Sequence, residues 1–167
     1  MIDNSFPDSY LKETPKEEIT KDLQTLETMT NDFAIRVYCQ KDNINHFRIY
    51  STKEYNLSQI IPILENMGFS VINQRTTEII FNSKALFMQD YALSTKSKEC
   101  MVVDDSYRLK LEDGLRALLE KSVINDELVS LLNSTSLDIQ QIKVLRALIS
   151  YTQQIGTKYS INAIRKI

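Results

Sequence analysis

The chain has 167 residues, of which 43% are hydrophobic and 25% charged, with a net charge of −2. That length holds one domain with a real core or two small lobes, and that composition excludes wholesale disorder. The balanced charge lacks the basic surplus of a nucleic-acid binder, and no apolar run approaches the length that spans a bilayer.

The opening "MIDNSFPDSYLKE" has no basic region followed by an apolar one, so it is not a secretory signal, and a cytoplasmic protein is expected. Cys39 and Cys100 lie in unrelated contexts without metal-type spacing and read as inert thiols of a reducing compartment. The stretch "SFPDSYLKETPKEEITKDLQTLETM" joins a Pro-marked extended segment to a helix over about residues 15–29. Thr14 can cap that helix, Pro15 suits its first position, and Ile19, Leu23 and Leu26 form its apolar face.

The period then changes from helical to alternating. Phe33, Ile35, Val37 and Cys39 alternate with polar neighbours, as do Phe47 and Ile49, and "KDNIN" between them supplies a hairpin turn. Antiparallel strands are expected at 33–40 and 45–51. Asn56 or Ser58 caps the next helix, in "LSQIIPILENMGF", with Pro62 favouring the later start. Ile60, Ile61, Leu64 and Met67 make its buried stripe, and Gly68 stops it. A strand begins at Phe69, "FNSK" turns the chain, and another strand covers about 85–94.

From there the pattern is helical. One helix runs from about 106 to 121 with Leu111, Leu115, Leu118 and Leu119 on its apolar face. A shorter one passes through "DELVSLLN", and Asp138 caps a third, carrying Ile142, Leu145, Ile149 and Thr152, that ends at Gly156. Ser160 caps a last segment, "INAIRKI", whose two turns are marginal alone and look like a cut in a longer polypeptide. The seam between strands and helices is expected in "STKSKECMVVDDS".

Little here carries chemistry. The three glycines are isolated, so neither a dinucleotide fingerprint nor a phosphate-cradling loop can be drawn. His46, the single histidine, reads as a partly exposed strand residue, and Asp104, Asp105, Glu112 and Asp113 as solvated charges. No catalytic, cofactor-binding or metal-ligating residue is assigned. Arg146, beside an apolar stripe, either covers that surface or reaches a partner's carboxylate. Glu65, near a helix C-terminus where a carboxylate is unfavourable, calls for a cation, Arg48 or Arg75. Arg146, Glu65 and Arg48 are therefore the candidate interdomain contacts.

Several motifs in register resemble one family. "LSQIIPILENMGFSVINQR" is similar to a Leu-Ser-x-x-x-Pro-x-Leu-Glu-x-x-Gly-x-x-Val-x-x-Glu-Arg motif of the large bacterial NAD-specific glutamate dehydrogenases, with Gln74 in place of the glutamate. "FPDSY", "ITKDLQTLE", "FRIY" and "VLRALISYTQQIGTKYS" resemble motifs of the same family before and after it. The segment "LLEKSVINDELVSLLNSTSL" departs from the family pattern, and the chain has no tryptophan where one is usual.

The resemblance implies an α+β chain, with an ACT-like, ferredoxin-like antiparallel sheet bearing a helix on one face, followed by a small helical lobe. The implied division is an N-terminal extension and helix at 1–30, an ACT-like domain at 31–97, and a helical motif at 103–167 truncated at its C-terminus. It implies a regulatory or assembly segment of a dehydrogenase that converts L-glutamate and NAD to 2-oxoglutarate, ammonium and NADH. NAD and the catalytic groups then belong to the parent enzyme and not to this chain. The expected partners are the catalytic domain or other subunits, with no nucleic acid or membrane and with oligomers allowed. The alternative is a free-standing ACT-like module that binds a small amino acid. Such sites use a Gly or Asp in the turn between the first strand and the helix, and "STKEYN" has neither.

Overall fold

The computed structural model describes residues 5–29, 32–40, 44–94 and 104–155. Two helices, α1 (Asp8–Glu13) and α2 (Lys16–Glu27), precede strands β1 (Phe33–Cys39) and β2 (Asn45–Ser51). Helix α3 (Leu57–Asn66) leads into strands β3 (Ser70–Phe81) and β4 (Lys84–Ser94). Helix α4 (Asp105–Leu119), a 3-10 turn at Glu127–Ser130, α5 (Leu131–Ser134) and α6 (Ile139–Gln154) complete the described elements.

The four strands form one antiparallel sheet in the spatial order β1-β2-β4-β3. Strands β2 and β3 run parallel on either side of β4 and are joined by α3, a split strand-helix-strand unit. Taken from β2, the succession is strand, helix, strand, strand, helix, and β1 occupies the place of the final edge strand. The sheet is thus ferredoxin-like with its last strand moved to the front of the sequence and tied to β2 by a hairpin. The fold is α+β, an ACT-like sheet followed by a helical lobe.

Each hairpin and helix end has a local cause. Asn82 and Ser83 take left-handed φ values of 49° and 61°, the geometry of a tight two-residue turn between twisted strands. Gly68, at φ +90°, stops α3: its N–H donates to Glu65 O at 2.9 Å, and the Phe69 N–H donates to Leu64 O at 3.0 Å. Those two bonds satisfy carbonyls that the helix end would otherwise orphan.

Some local expectations change. Pro62 lies in the second turn of α3 rather than at a later start, because Asn56 begins the helix: the N–H groups of Gln59 and Ile60 bond its carbonyl at 2.9 and 3.2 Å. Both Pro62 and Ser58, whose carbonyl loses its partner, are exposed, so water can take up the freed acceptor. With the earlier start, Ile63 joins Ile60, Leu64 and Met67 in the buried stripe, and Ile61 is only half-buried. The segment expected to be extended after Pro7 contains α1. The turn at 41–43, the seam at 95–103, Gly156 and the helix expected from Ser160 lie outside the described residues.

One apolar cluster runs from the sheet to the last helix. Phe33, Ile35, Val37, Phe47, Ile49, Tyr91 and Leu93 meet Ile60, Leu64, Met67 and Phe69, then Leu111, Leu115 and Leu118 of α4, and finally Leu132, Ile142 and Ile149. Gly114 allows α4 close to α5, since a Cβ there would lie 2.5 Å from Leu132 Cδ1. The opposite sheet face is covered as well. Phe6, Tyr10, Ile19 and Leu26 of the N-terminal segment pack on Ala34, Tyr50, Ile79, Leu86 and Met88. The sheet therefore lies between two helical layers. Among the described residues no helix is long and apolar enough to cross a membrane.

Candidate functional site

The sheet carries a row of charge. Register pairs Arg36 with Arg48, Arg48 with Asp90 and Asp90 with Arg75, so three arginines and one aspartate cross all four strands at one level. Their alternation places them on the face covered by α1 and α2. Those helices answer with Glu13, Glu18 and Asp22.

Asp22, with 0% exposure, is the hub. Its carboxylate accepts from Arg36 Nη1, from Arg48 Nη1 at 2.8 Å, from the Tyr50 hydroxyl at 2.5 Å and from the Tyr10 hydroxyl. Four donors on two oxygens, two of them guanidinium groups, make its desolvation tolerable. Glu18 takes the second amine of Arg36, and Arg75 donates to Glu13 at 2.8 Å on the exposed rim. Arg48 uses all three of its nitrogens: Nε donates to Asp90 Oδ1 at 2.9 Å, Nη1 also reaches Tyr10 Oη at 2.7 Å, and Nη2 donates to Tyr38 Oη. Tyr38 donates in turn to Asp90 at 2.9 Å, and its ring stacks on His46 and lies under both guanidiniums.

His46 is buried rather than partly exposed, and its Nδ1 lies 2.8 Å from Asp90 Oδ2. The acceptor is a carboxylate, so Nδ1 carries the donated proton. Burial alone would raise the Asp90 carboxyl; the hydrogen bond from His46 and the Arg48 guanidinium outweigh it and bring it down to about 2. Burial pushes the hydroxyls of Tyr10, Tyr38 and Tyr50 well above the usual phenol range, and nearby Asp22 or Asp90 adds to the shift. The Asp90 carboxylate and the hydroxyls of Tyr10, Tyr38 and Tyr50 are thus held in the states that bond their neighbours. The chemistry of the network is to fasten the N-terminal helices to the sheet. Beside it opens a cleft of about 470 Å³ between α1, α2 and the sheet, lined among others by Glu13, Glu17, Arg75, Thr77 and Met88.

The other face has its own polar joints. Gln89, 1% exposed, accepts from the Tyr55 N–H and donates to the Tyr55 carbonyl, both at 2.8 Å. In the turn between β2 and α3 the Tyr55 backbone is thus bonded within the protein. Glu112 is not simply solvated: it accepts the N–H of Val37 on edge strand β1 at 2.9 Å, which covers a free edge donor. Arg108 holds it at 3.1 and 3.2 Å, and burial raises its carboxyl despite those donors. Asn133 sits at the junction with the helical lobe. It accepts from the Tyr107 hydroxyl at 2.6 Å and lies against Gly68, where a Cβ would meet its Nδ2 at 3.1 Å.

The three candidate contacts separate. Arg48 is spent inside the network, on the face of the sheet opposite α3. Arg75 is paired with Glu13, so neither arginine serves Glu65, which is exposed and has no ion pair among the described residues. Arg146 clamps the lobe internally, with Nε and Nη2 on the two oxygens of Asp126 at 2.9 and 2.7 Å and Nη2 on Ile124 O at 3.1 Å. Cys39, expected as an inert thiol, is disulfide-bonded. Asp22, Arg36 and Asp90 escaped the sequence reading. Their one signal was an apolar α2 face interrupted by an acid, facing strands whose polar positions are arginine.

Fold and joints together define a sandwiched ACT-like sheet with a helical lobe attached. Residues 32–106 match the family model described as glutamate dehydrogenase, ACT3 domain, and residues 123–167 match that described as glutamate dehydrogenase, helical motif 3. The two matches cover more than two thirds of the chain, which belongs to the glutamate dehydrogenase family. Comparison with curated proteins gave no match. Helices α1 and α2 lie outside both matched regions.

Proposed function

We propose that this chain is a non-catalytic regulatory and assembly segment of a cytoplasmic, NAD-dependent glutamate dehydrogenase. The observation that carries the reading is the order of the two matched units, ACT3 domain then helical motif 3, joined through one continuous core. A shared core makes the pair one body, so a force on the lobe is transmitted to the sheet rather than absorbed in a linker. The mechanism is docking. The module leans on the catalytic domain or on other subunits and biases their equilibrium by contacts that differ between states.

The described residues do not fit a dinucleotide. Gly68 is used to end α3 and Gly114 to seat Leu132, and neither opens a loop toward a phosphate. We assign NAD and the conversion of L-glutamate to 2-oxoglutarate and ammonium to the parent enzyme. Continuing the reading frame past Ile167 tests this directly: it should run into a catalytic region with a glycine-rich nucleotide loop. Where that region is encoded separately, glutamate-dependent NAD reduction should change when this chain is added. Failure of both outcomes would leave the reading without support.

The alternative, a module that binds a small amino acid by itself, draws on the cleft of about 470 Å³ with Arg75 and the carboxylates at its rim. Calorimetry with glutamate, other amino acids and NAD separates the two. The isolated chain should give no heat under the first reading, and micromolar binding of an amino acid would promote the second.

A further inference from the structure

Helix α6 has two unlike faces. Ile142 and Ile149 are buried in the core, and Arg146 is tied to Asp126. On the outward side Val144, Leu148, Tyr151 and Ile155 are exposed by 60, 57, 61 and 61%. Their spacing of four, three and four puts them on one stripe, about 16 Å long at 1.5 Å per residue. Exposed Gln140, Gln141, Ala147 and Gln154 flank the stripe without charge, and the nearest charge on the helix, Lys143, is half-buried about 100° round from Val144. Single exposed apolar side chains are ordinary, but four aligned on one helix are a surface awaiting a cover.

We infer that this stripe seats an apolar helix face, itself free of charge at its flanks, from elsewhere in the same glutamate dehydrogenase polypeptide. The inference rests on the proposed function and names the contact through which the segment docks. The charge-free rim selects the partner: an ionic face brought here would lose water and gain no counter-charge. The size of the patch selects the linkage. Four side chains of this exposure bury on the order of 400 Å² on this side, about half of what a stable interface between free partners removes. A helix of the same polypeptide acts at an effective concentration near millimolar and needs no larger area. The 4-3-4 spacing suits the near-parallel packing of two helices.

The experiment compares hydroxyl-radical labelling of Leu148 and Tyr151 in the isolated chain and in the intact dehydrogenase. Leu148→Lys combined with Tyr151→Lys is the test variant, and Ser150→Lys, exposed on the same helix but off the stripe, is the control. All three changes are at exposed positions, and circular dichroism verifies the fold. The isolated chain should sediment as a monomer with both residues labelled. In the intact enzyme their labelling should fall severalfold. In the intact enzyme the double variant should lose that protection at the rest of the stripe, Val144 and Ile155 becoming as strongly labelled as in the isolated chain, with Ser150→Lys unchanged.

Equal labelling in both contexts would overturn the docking while leaving the proposed function intact. A concentration-dependent dimer of the isolated chain abolished by the double variant would make a second copy the occupant instead. Protection already present in the isolated monomer would assign the face to residues 156–167. A chain that neither continues into nor binds a glutamate dehydrogenase overturns both inferences.

Discussion

The two faces of the sheet solve the same problem with opposite chemistry. Under α3 and α4 the contact is mainly apolar, built from Phe33, Ile35, Phe47, Ile49, Leu64 and Leu115, with Gln89 and Glu112 as local polar joints. Under α1 and α2 a smaller apolar patch surrounds a charged lock of Asp22, Arg36, Arg48 and Asp90. Dry packing is non-directional and tolerates small shifts of register or volume. A buried ion network favours one placement of the helices over the strands, because a shifted Asp22 leaves Arg36 and Arg48 with one carboxylate each. The lesson is a division of labour in which one face supplies cohesion and the other supplies position.

The largest test removes the hub. Asp22→Ala leaves two buried guanidiniums without their shared counter-ion and should cost about 3–5 kcal/mol in urea denaturation. Adding Arg36→Met and Arg48→Met to Asp22→Leu should recover much of that loss, at the expense of a uniquely placed N-terminal segment in NMR spectra. If Asp22→Ala were instead neutral, the lock would be decorative and the contrast between the faces would collapse.

Acid should loosen the charged face first. The Asp90 carboxyl is held at about 2, below its ordinary value near 4, so its contribution is present above the unfolded value and is lost as pH falls through the folded one. Roughly 2 kcal/mol should disappear between about pH 4 and pH 2, with amide exchange rising in α1 and α2 before it rises in α3.

One substitution made on both faces gives a smaller but sharper reading. Tyr50→Phe removes a donor to Asp22 and should cost about 1–2 kcal/mol. Tyr91 is just as buried, but its hydroxyl has no hydrogen-bond partner among the described residues, so Tyr91→Phe should be neutral or stabilising by up to about 1 kcal/mol. Smallest of all, Arg146→Ala opens the half-exposed clamp on Asp126 and should cost about 1 kcal/mol by thermal melting, with no change in the network under α2.

The dry face was legible in the sequence because burial there obeys simple periods. Alternation at Phe33, Ile35 and Val37, the stripe through Ile60 and Leu64, and Gly68 at the helix end each have one physical meaning. The charged face was illegible for the same reason. Arg36, Arg48 and Asp90 fall on the alternate positions that a half-buried strand turns to water, and His46 among them read as partly exposed. Their burial depends on Asp22, an acid that periodicity alone marks only as a break in the apolar face of α2. Helix α1 is six residues long, too short for any period to register. Arg146 lies beside an apolar stripe, but the carboxylate it reaches, Asp126, is 20 positions away in the same lobe, a pairing that no local period marks.

The early placement of β1 has a further consequence. In the unpermuted arrangement the second helix must hand the chain back to the sheet, so its length and exit angle are fixed by the strand it feeds. Here the hairpin has already closed that circuit, and the chain beyond α4 owes nothing to strand register. Insertions, deletions or whole added helices can accumulate past that point without disturbing a single rung of the ladder, which makes the end of α4 the natural growing point of the molecule.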